Sequence, residues 1–497
     1  MQNGTFLAAI DLGSNSCRLE IGRYDHGQIF RVDYLKETVR LGNGFDDDRN
    51  LSLEAMTRGW DCLARFAERL SGFAPEQVRA VATQTLREAK NRDEFIEHGQ
   101  RILGFPIEVI AGTEEARLIY QGVVHGLPQS DEHRLVIDVG GRSTELVLGV
   151  GTQTLQTASF RVGSVAWSMK YFPKGEFTEQ AFYRAEIAAQ AVLEEALQTY
   201  PRSQWDAAYG ASGTVGAVAD VLTMAGWPAN QISRDGLNWL VKCLIRAGNA
   251  NKIQLEGLKD DRRAVIGGGV SVLRGLMELL HIDTLQVAQG ALRHGVLLEM
   301  VDRHDHDTDA RDTSVQRLSQ KFAVDIAQGE RVSQVACNLM AQLMHEASVR
   351  TMELTRKLRW AATLHEIGMA ISNSDYHKHG AYILENADTV GFSLPELHRL
   401  GLLVLGHRGK LKKLDDDFEE PEFVIQLLAL RLAVILCHAR RVPDDHGLKL
   451  SCNIQRQRFT LAISEAWVTN YPQSTHLLRQ ECVSWQKTSW TFELIIA

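Results

Sequence analysis

Apolar and polar residues alternate in short strand-like runs through the first part of the chain, then recur at helical spacing from 314 to 440. Residues 5–35 read as strands around tight turns, with Cys17 a small core residue on the return strand. Ser52–Leu70 has apolar positions on one helical face and an opening Ser that predicts an N-cap. Val78–Ala82 and Ile107–Ile110 predict short strands, each followed by a helix opened by Thr83 or Thr113. Arg134–Phe160 predicts a second hairpin unit and Ala181–Tyr200 a long helix. Tyr209–Val215 is a Gly/Ser-rich strand-to-helix turn containing Gly213, and Ile266–Gly269 a weaker case. Residues 303–312, RHDHDTDARD, carry no apolar period and predict a linker rather than a metal site. Leu448–Ile454 and Arg458–Ile463 predict a hairpin, and Trp485–Ile496 a further strand region. The expected domains are 1–124, 125–302, a helical 303–440 and a small β-containing tail, 441–497.

One stretch occurs twice. IDLGSNS at Ile10–Ser16 returns 127 residues later as IDVGGRS at Ile137–Ser143. Asp11 falls on Asp138, Gly13 on Gly140, Ser16 on Ser143, and Leu19 and Gly22 on Leu146 and Gly149. Each Asp ends an apolar run, so its carboxylate is held at the rim of a buried strand. The small residues after it let backbone N–H groups approach an anion. A lone DxG turn is common in ordinary hairpins; two in register are much harder to produce by chance. Facing each other, they would form a cleft with two carboxylates for a divalent cation and two N–H-lined loops for phosphates.

Further candidates flank this pair. Thr83, Thr85 and Arg87 at a helix start suit an anion, although a capped helix with a solvated Arg is the plainer reading. Glu114 and Glu115 open the next helix about 100° apart, so one could face a cleft while the other stays in solvent. Sequence geometry does not choose between them. Glu145 follows the second loop and could join Asp138 near a metal. Arg142, inside that loop, is a phosphate contact or a restriction on the turn. In the helical part, His365-Glu366, His377, His379 and His407 are similar to the pattern of helical metal phosphohydrolases. The expected first His falls within 331–334 and the final Asp within 432–434, where Val434 is apolar, so the expectation is a scaffold without metal. Arg408, Lys410, Lys412 and Lys413 form a basic patch that would grip an extended polyanion, unless Asp415–Asp417 neutralises it.

Composition narrows the class. The 497 residues are 44% hydrophobic and 23% charged, as in a soluble globular protein. No apolar run reaches eighteen residues, and the first apolar run has no basic segment before it, so neither a membrane span nor a signal peptide is expected. Seven scattered cysteines without a CxxC pair fit reduced thiols in the cytoplasm. A net charge of −8 argues against a general nucleic-acid binder.

DLGSNS at 11–16, TEEARLIYQGV at 113–123, IDVGGRSTELV at 137–147, YGASGTV at 209–215 and QGALRHGVL at 289–297 together resemble the exopolyphosphatase / guanosine pentaphosphate phosphohydrolase (Ppx/GppA) family. The resemblance runs in order over nearly the whole chain. It implies an α/β fold of two ribonuclease-H-like lobes of the actin/hexokinase/Hsp70-like superfamily, then an all-α HD-like domain and a small α+β C-terminal domain. It implies Mg2+-dependent hydrolysis of a terminal phosphoanhydride, with possible stimulation by a monovalent cation. Glu115 matches the family's catalytic base, Asp138 and Glu145 its Mg2+-associated acids, and Asp11 the first phosphate-loop acid, here also grouped with the metal. Gly13, Ser14, Asn15, Ser16, Gly140, Gly141, Ser143 and Gly213 take phosphate-loop positions. Arg87 matches an arginine near the substrate phosphates. The departure is Arg142, where the family usually has Gly. The basic patch favours inorganic polyphosphate over guanosine pentaphosphate (pppGpp) as substrate. A non-catalytic nucleotide sensor is the alternative from another class, and a homodimer with a shared channel is the expected assembly.

Overall fold

The computed structural model describes residues 1–26, 28–302, 309–344, 348–387, 389–442 and 447–496. The chain forms two compact units, Met1–Asp309 and Ala310–Ala497.

The first unit holds two sheets built on one plan. Strands β1 (Phe6–Leu12), β2 (Cys17–Asp25) and β3 (Gln28–Glu37) form an antiparallel meander. β4 (Val78–Ala82) and β5 (Ile107–Val109) extend it parallel to β1, in the order β3-β2-β1-β4-β5. β6 (His133–Val139), β7 (Thr144–Val150) and β8 (Gln153–Phe160) repeat the meander. β9 (Ala207–Ala211) joins β6 in parallel, β10 (Gln231–Ser233) is an antiparallel edge, and β11 (Thr284–Val287) pairs with both β9 and β10. The order is β10-β11-β9-β6-β7-β8. The likeness extends to irregularities. The first meander shifts register at Ile21/Gly22 and the second at Leu148/Gly149, the same place in both copies. A Cβ on Gly22 would stand 2.4 Å from the Ile29 side chain, and one on Gly149 2.4 Å from the Gln153 carbonyl. Both bulges therefore require the missing side chain.

Helix Leu53–Arg69 starts at its Ser52 cap, as the pattern predicts. Two other expected caps differ. Thr83 precedes helix Gln84–Glu88 but its hydroxyl reaches back to the Leu12 carbonyl instead of capping. Helix Gly112–Val124 starts two residues early, after Ala111, and the Thr113 hydroxyl is buried without a partner among the described residues. The long helix expected over 181–200 breaks into Glu179–Leu193 and Ala196–Thr199.

Helix Leu292–Asp302, assigned by sequence to the second lobe, packs on Gly112–Val124 and on β1. The approach is very close: a Cβ on Gly295 would lie 1.8 Å from the Leu118 carbonyl oxygen. A buried ion network accompanies it. Arg117 donates to both Glu114 oxygens at 2.8 and 2.7 Å and also reaches Glu299, which Arg79 contacts at 3.1 Å.

In the second unit, residues 303–308 of the expected linker lie outside the described residues, and helix Ala310–Lys321 already begins at 310. The sheet β12 (Lys449–Asn453), β13 (Arg458–Ile463) and β14 (Thr491–Ile496) includes the expected hairpin. Trp485, expected in a strand, ends helix Pro472–Trp485. Phe459, Trp485 and Trp490 share one core with Leu358, Leu400 and Phe423. The described part of the tail therefore packs as a continuation of the helical core, not as a separate body. Among the described residues no helix is long and apolar enough to cross a membrane.

Candidate active site

A cavity of about 460 Å3 in the first unit is walled by both copies of the repeated turn. Asp11, Gly13, Ser14, Asn15 and Ser16 line one side; Asp138, Gly140, Gly141 and Ser143 line the other. The two turns have the same tight form. A Cβ on Gly13 would stand 2.9 Å from the Ser16 carbonyl oxygen, and one on Gly140 3.0 Å from that of Ser143. The turns also meet, since a Cβ on Gly141 would lie 3.0 Å from Cβ of Ser14. Gly213 is on the same wall, where a Cβ would strike the Arg262 guanidinium at 2.0 Å.

The copies differ in charge. Asp11 pairs across the strands with Arg18, whereas the matching position opposite Asp138 is Glu145. Arg18 and Arg293 stand 3.6 and 3.5 Å from the Asp11 carboxylate. Asp138 has no such partner among the described residues. Burial foremost, then Glu115 and Asp11, push its carboxyl up to about 8, although Arg18 and Arg293 pull the other way. Its residue keeps partial exposure and lines the cavity. Glu145 is displaced well upward by burial and by Glu115 and Asp138; it accepts a hydrogen bond from Ser159 at 2.8 Å and lies behind the wall.

Of the two successive glutamates, Glu115 lines the cavity. Glu114 is wholly buried in the ion network with Arg117, not in solvent. Burial raises the Glu115 carboxyl, opposed by Arg87 and assisted by Asp11. Arg87 is neither solvated nor on the cavity wall. Its Nη1 donates to Glu115 Oε2 at 2.7 Å and to the Ile110 carbonyl at 2.9 Å, so it stands behind the glutamate and holds it. Arg142 is neither a cavity group nor a simple turn residue; its guanidinium crosses to Glu88 and the Gly42 carbonyl.

Family models match most of the chain. Residues 21–304 match the Ppx/GppA phosphatase family and residues 310–482 its domain III. The chain belongs to the Ppx/GppA phosphatase family. It is 36% identical over 495 residues to a Vibrio cholerae guanosine-5'-triphosphate,3'-diphosphate pyrophosphatase, covering 98% of this chain and 97% of that one. An exopolyphosphatase from Cytophaga hutchinsonii is 25% identical with a TM-score of 0.54, covering 60% of this chain and 98% of that one. The Aquifex aeolicus Ppx/GppA family member is 26% identical with a TM-score of 0.51, covering 61% and 99%.

This Ppx/GppA chain carries cavity groups that sequence reasoning missed. Arg18, Arg31, Arg262 and Arg293 line the wall, with Tyr34 under the Arg293 guanidinium at 5.3 Å. Arg18 was within reach, because the 127-residue offset places it on Glu145. Arg31 and Arg262 come from distant segments and have no local signal, whereas Arg293 lies within the QGALRHGVL stretch at 289–297.

In domain III, His365 and His407 each set Nδ1 2.6 Å from a backbone carbonyl, of Ala362 and Val404. Burial lowers both, and lowers His377 to about 4 with help from Lys413 and Arg408. Glu366 is paired with Arg440 at 2.8 Å, and His379 is half-buried. Arg408, Lys410, Lys412 and Lys413 are exposed and have no ion pair among the described residues. Arg408 lies over the Tyr376 ring at 4.6 Å. Asp417 is partly buried, while the side chains of Asp415 and Asp416 lie outside the described residues.

Among the described residues no three His, Cys, Asp or Glu side chains converge as a metal cage. Mg2+ does not require one: it keeps several waters and is held by one or two carboxylates plus substrate phosphates. The donor chemistry fits, because Asp138 and Glu145 are acids raised by burial and by the nearby Glu115, while Asp11 already has two guanidinium neighbours.

Proposed function

We propose that this chain hydrolyses the terminal 5′-phosphoanhydride of pppGpp, leaving ppGpp and orthophosphate. The observation that carries the reaction is the cavity itself: Glu115, Asp138 and both repeated turns surround one space. The repeated strand order supports two ribonuclease-H-like lobes of the actin-like kind. The end-to-end likeness to the Vibrio cholerae pyrophosphatase supports the nucleotide over inorganic polyphosphate, reversing the preference read from the basic patch.

The chemistry then follows from placement. The N–H groups of the two turns and the guanidiniums of Arg18, Arg262 and Arg293 receive the phosphate oxygens and offset their charge. Glu115, held by Arg87, accepts the proton of a water in line with the terminal phosphorus. Asp138, with Glu145 behind it, would hold Mg2+, which supplies charge neutralisation on the leaving phosphate.

The test is orthophosphate release from pppGpp and from polyphosphate side by side, with Mg2+. We expect kcat/KM for pppGpp to exceed that for polyphosphate by about tenfold or more. The opposite order would favour exopolyphosphatase. That second reading rests on the exposed Arg408–Lys413 patch. If the patch grips polyphosphate, changing Lys410, Lys412 and Lys413 to Glu weakens long-chain hydrolysis and its salt sensitivity, with pppGpp and short chains little changed. Equal loss on all substrates would exclude it.

A further inference from the structure

Arg142 extends away from the cavity, across from the second phosphate turn to the first lobe. Its Nε and Nη2 donate to Glu88 Oε2 at 3.2 and 3.0 Å, and Nη1 donates to the Gly42 carbonyl at 2.9 Å. Its guanidinium lies 4.7 Å from the centre of the Phe45 ring. The contacts continue inward. Gln84 Nε2 donates to the other Glu88 oxygen at 2.6 Å. Gln84 Oε1 accepts from Arg87 Nε and Nη2 at 3.1 and 2.7 Å. Arg87 Nη1 donates to Glu115 at 2.7 Å.

The chain Arg142–Glu88–Gln84–Arg87–Glu115 is thus continuous: Glu88 accepts from both of its neighbours and Arg87 donates to both of its own. A carboxylate only accepts and a guanidinium only donates, so the amide of Gln84 between them has a single consistent orientation. Side-chain exposure is 19% for Arg142, 12% for Glu88 and Arg87, and 10% for Glu115, so water competes weakly for these bonds. Without Arg142, Glu88 loses its cation. The next guanidinium along the chain is that of Arg87, which Glu88 and Gln84 would then draw away from Glu115.

We propose that Arg142 is a positioning residue that acts through Glu88, Gln84 and Arg87 to fix the Glu115 carboxylate for water activation. It ties the setting of that carboxylate in one lobe to the seating of the phosphate turn in the other. The inference rests on the reading of Glu115 as the base.

The test uses the full chain and pppGpp, with R142A, R142K, E88A, the double variant R142A/E88A, and E115Q as control. R142A should lower kcat about tenfold with KM within about twofold of the parent. R142K should recover part of the loss, because the charge returns without the fork. E88A should match R142A, and the double variant should be no worse than either alone, since both break one chain. Losses that multiply, a raised KM with unchanged kcat, or parent-like R142A would each overturn the proposal. If R142A fails to fold, R142K and E88A decide it: a normal kcat in either counts against the chain. An inactive E115Q beside a normal R142A sinks this inference alone; an active E115Q sinks the assignment of the base.

Discussion

Glu115→Gln is expected to lower kcat on pppGpp about 10²–10⁴-fold while KM stays within about threefold. The substitution keeps the side chain's size and leaves an amide oxygen to accept the Arg87 hydrogen bond seen at 2.7 Å. It removes only the capacity to take a proton. The environment supports that capacity. Burial raises the carboxyl and Arg87 restrains the rise, so Glu115 is a stronger base than a surface glutamate. Asp138 is the competing candidate on the same wall, but burial and its acidic neighbours push it to about 8. Unless a cation binds there, it is mostly protonated at neutral pH, and a cation bound there would occupy its oxygens. Single-turnover orthophosphate release separates the two. Parent-like turnover in Glu115→Gln would transfer the role to Asp138.

The repeated turn was legible because its cause is local. Small residues and a strand-ending Asp fix the same backbone twice, and the shared bulge at Gly22 and Gly149 follows from the same register. The choice between Glu114 and Glu115 was not. Both lie in one first helical turn, and what separates them is Glu299 and Arg79 on one side and the cavity on the other, supplied by elements up to 185 residues away. Arg87 and Arg142 failed for a related reason. An arginine reaches far enough that its partner is set by packing: Arg87 meets Glu115 from 28 residues away and Arg142 meets Glu88 from 54 residues away. The Thr113 cap illustrates the reverse error: local propensity named the cap, but the helix begins at Gly112. Substrate preference was not legible from the Arg408–Lys413 patch, because surface charge reports that a polyanion can approach, not which one the cavity accepts.

Arg117→Leu should destabilise the first unit by about 3–5 kcal/mol, lowering its melting temperature by roughly 5–10 °C. Arg117 is 4% exposed; it grips Glu114 with both arms of its fork and reaches Glu299 on helix Leu292–Asp302. Leucine would leave two carboxylates inside, with Arg79 the cation still placed near Glu299. Burial already raises the Glu114 carboxyl. Without Arg117 the native state would bind more protons there than the unfolded chain does. Stability of the variant should therefore fall as pH rises, making the deficit smaller near about pH 5 than near about pH 8. Adding Glu114→Gln and Glu299→Gln removes the stranded charges and should restore much of the loss. Calorimetry on the full chain measures all of these. A deficit below about 1 kcal/mol, or one independent of pH, would mean that glycine packing, such as Gly295 on the Leu118 carbonyl, holds the helix without the ions.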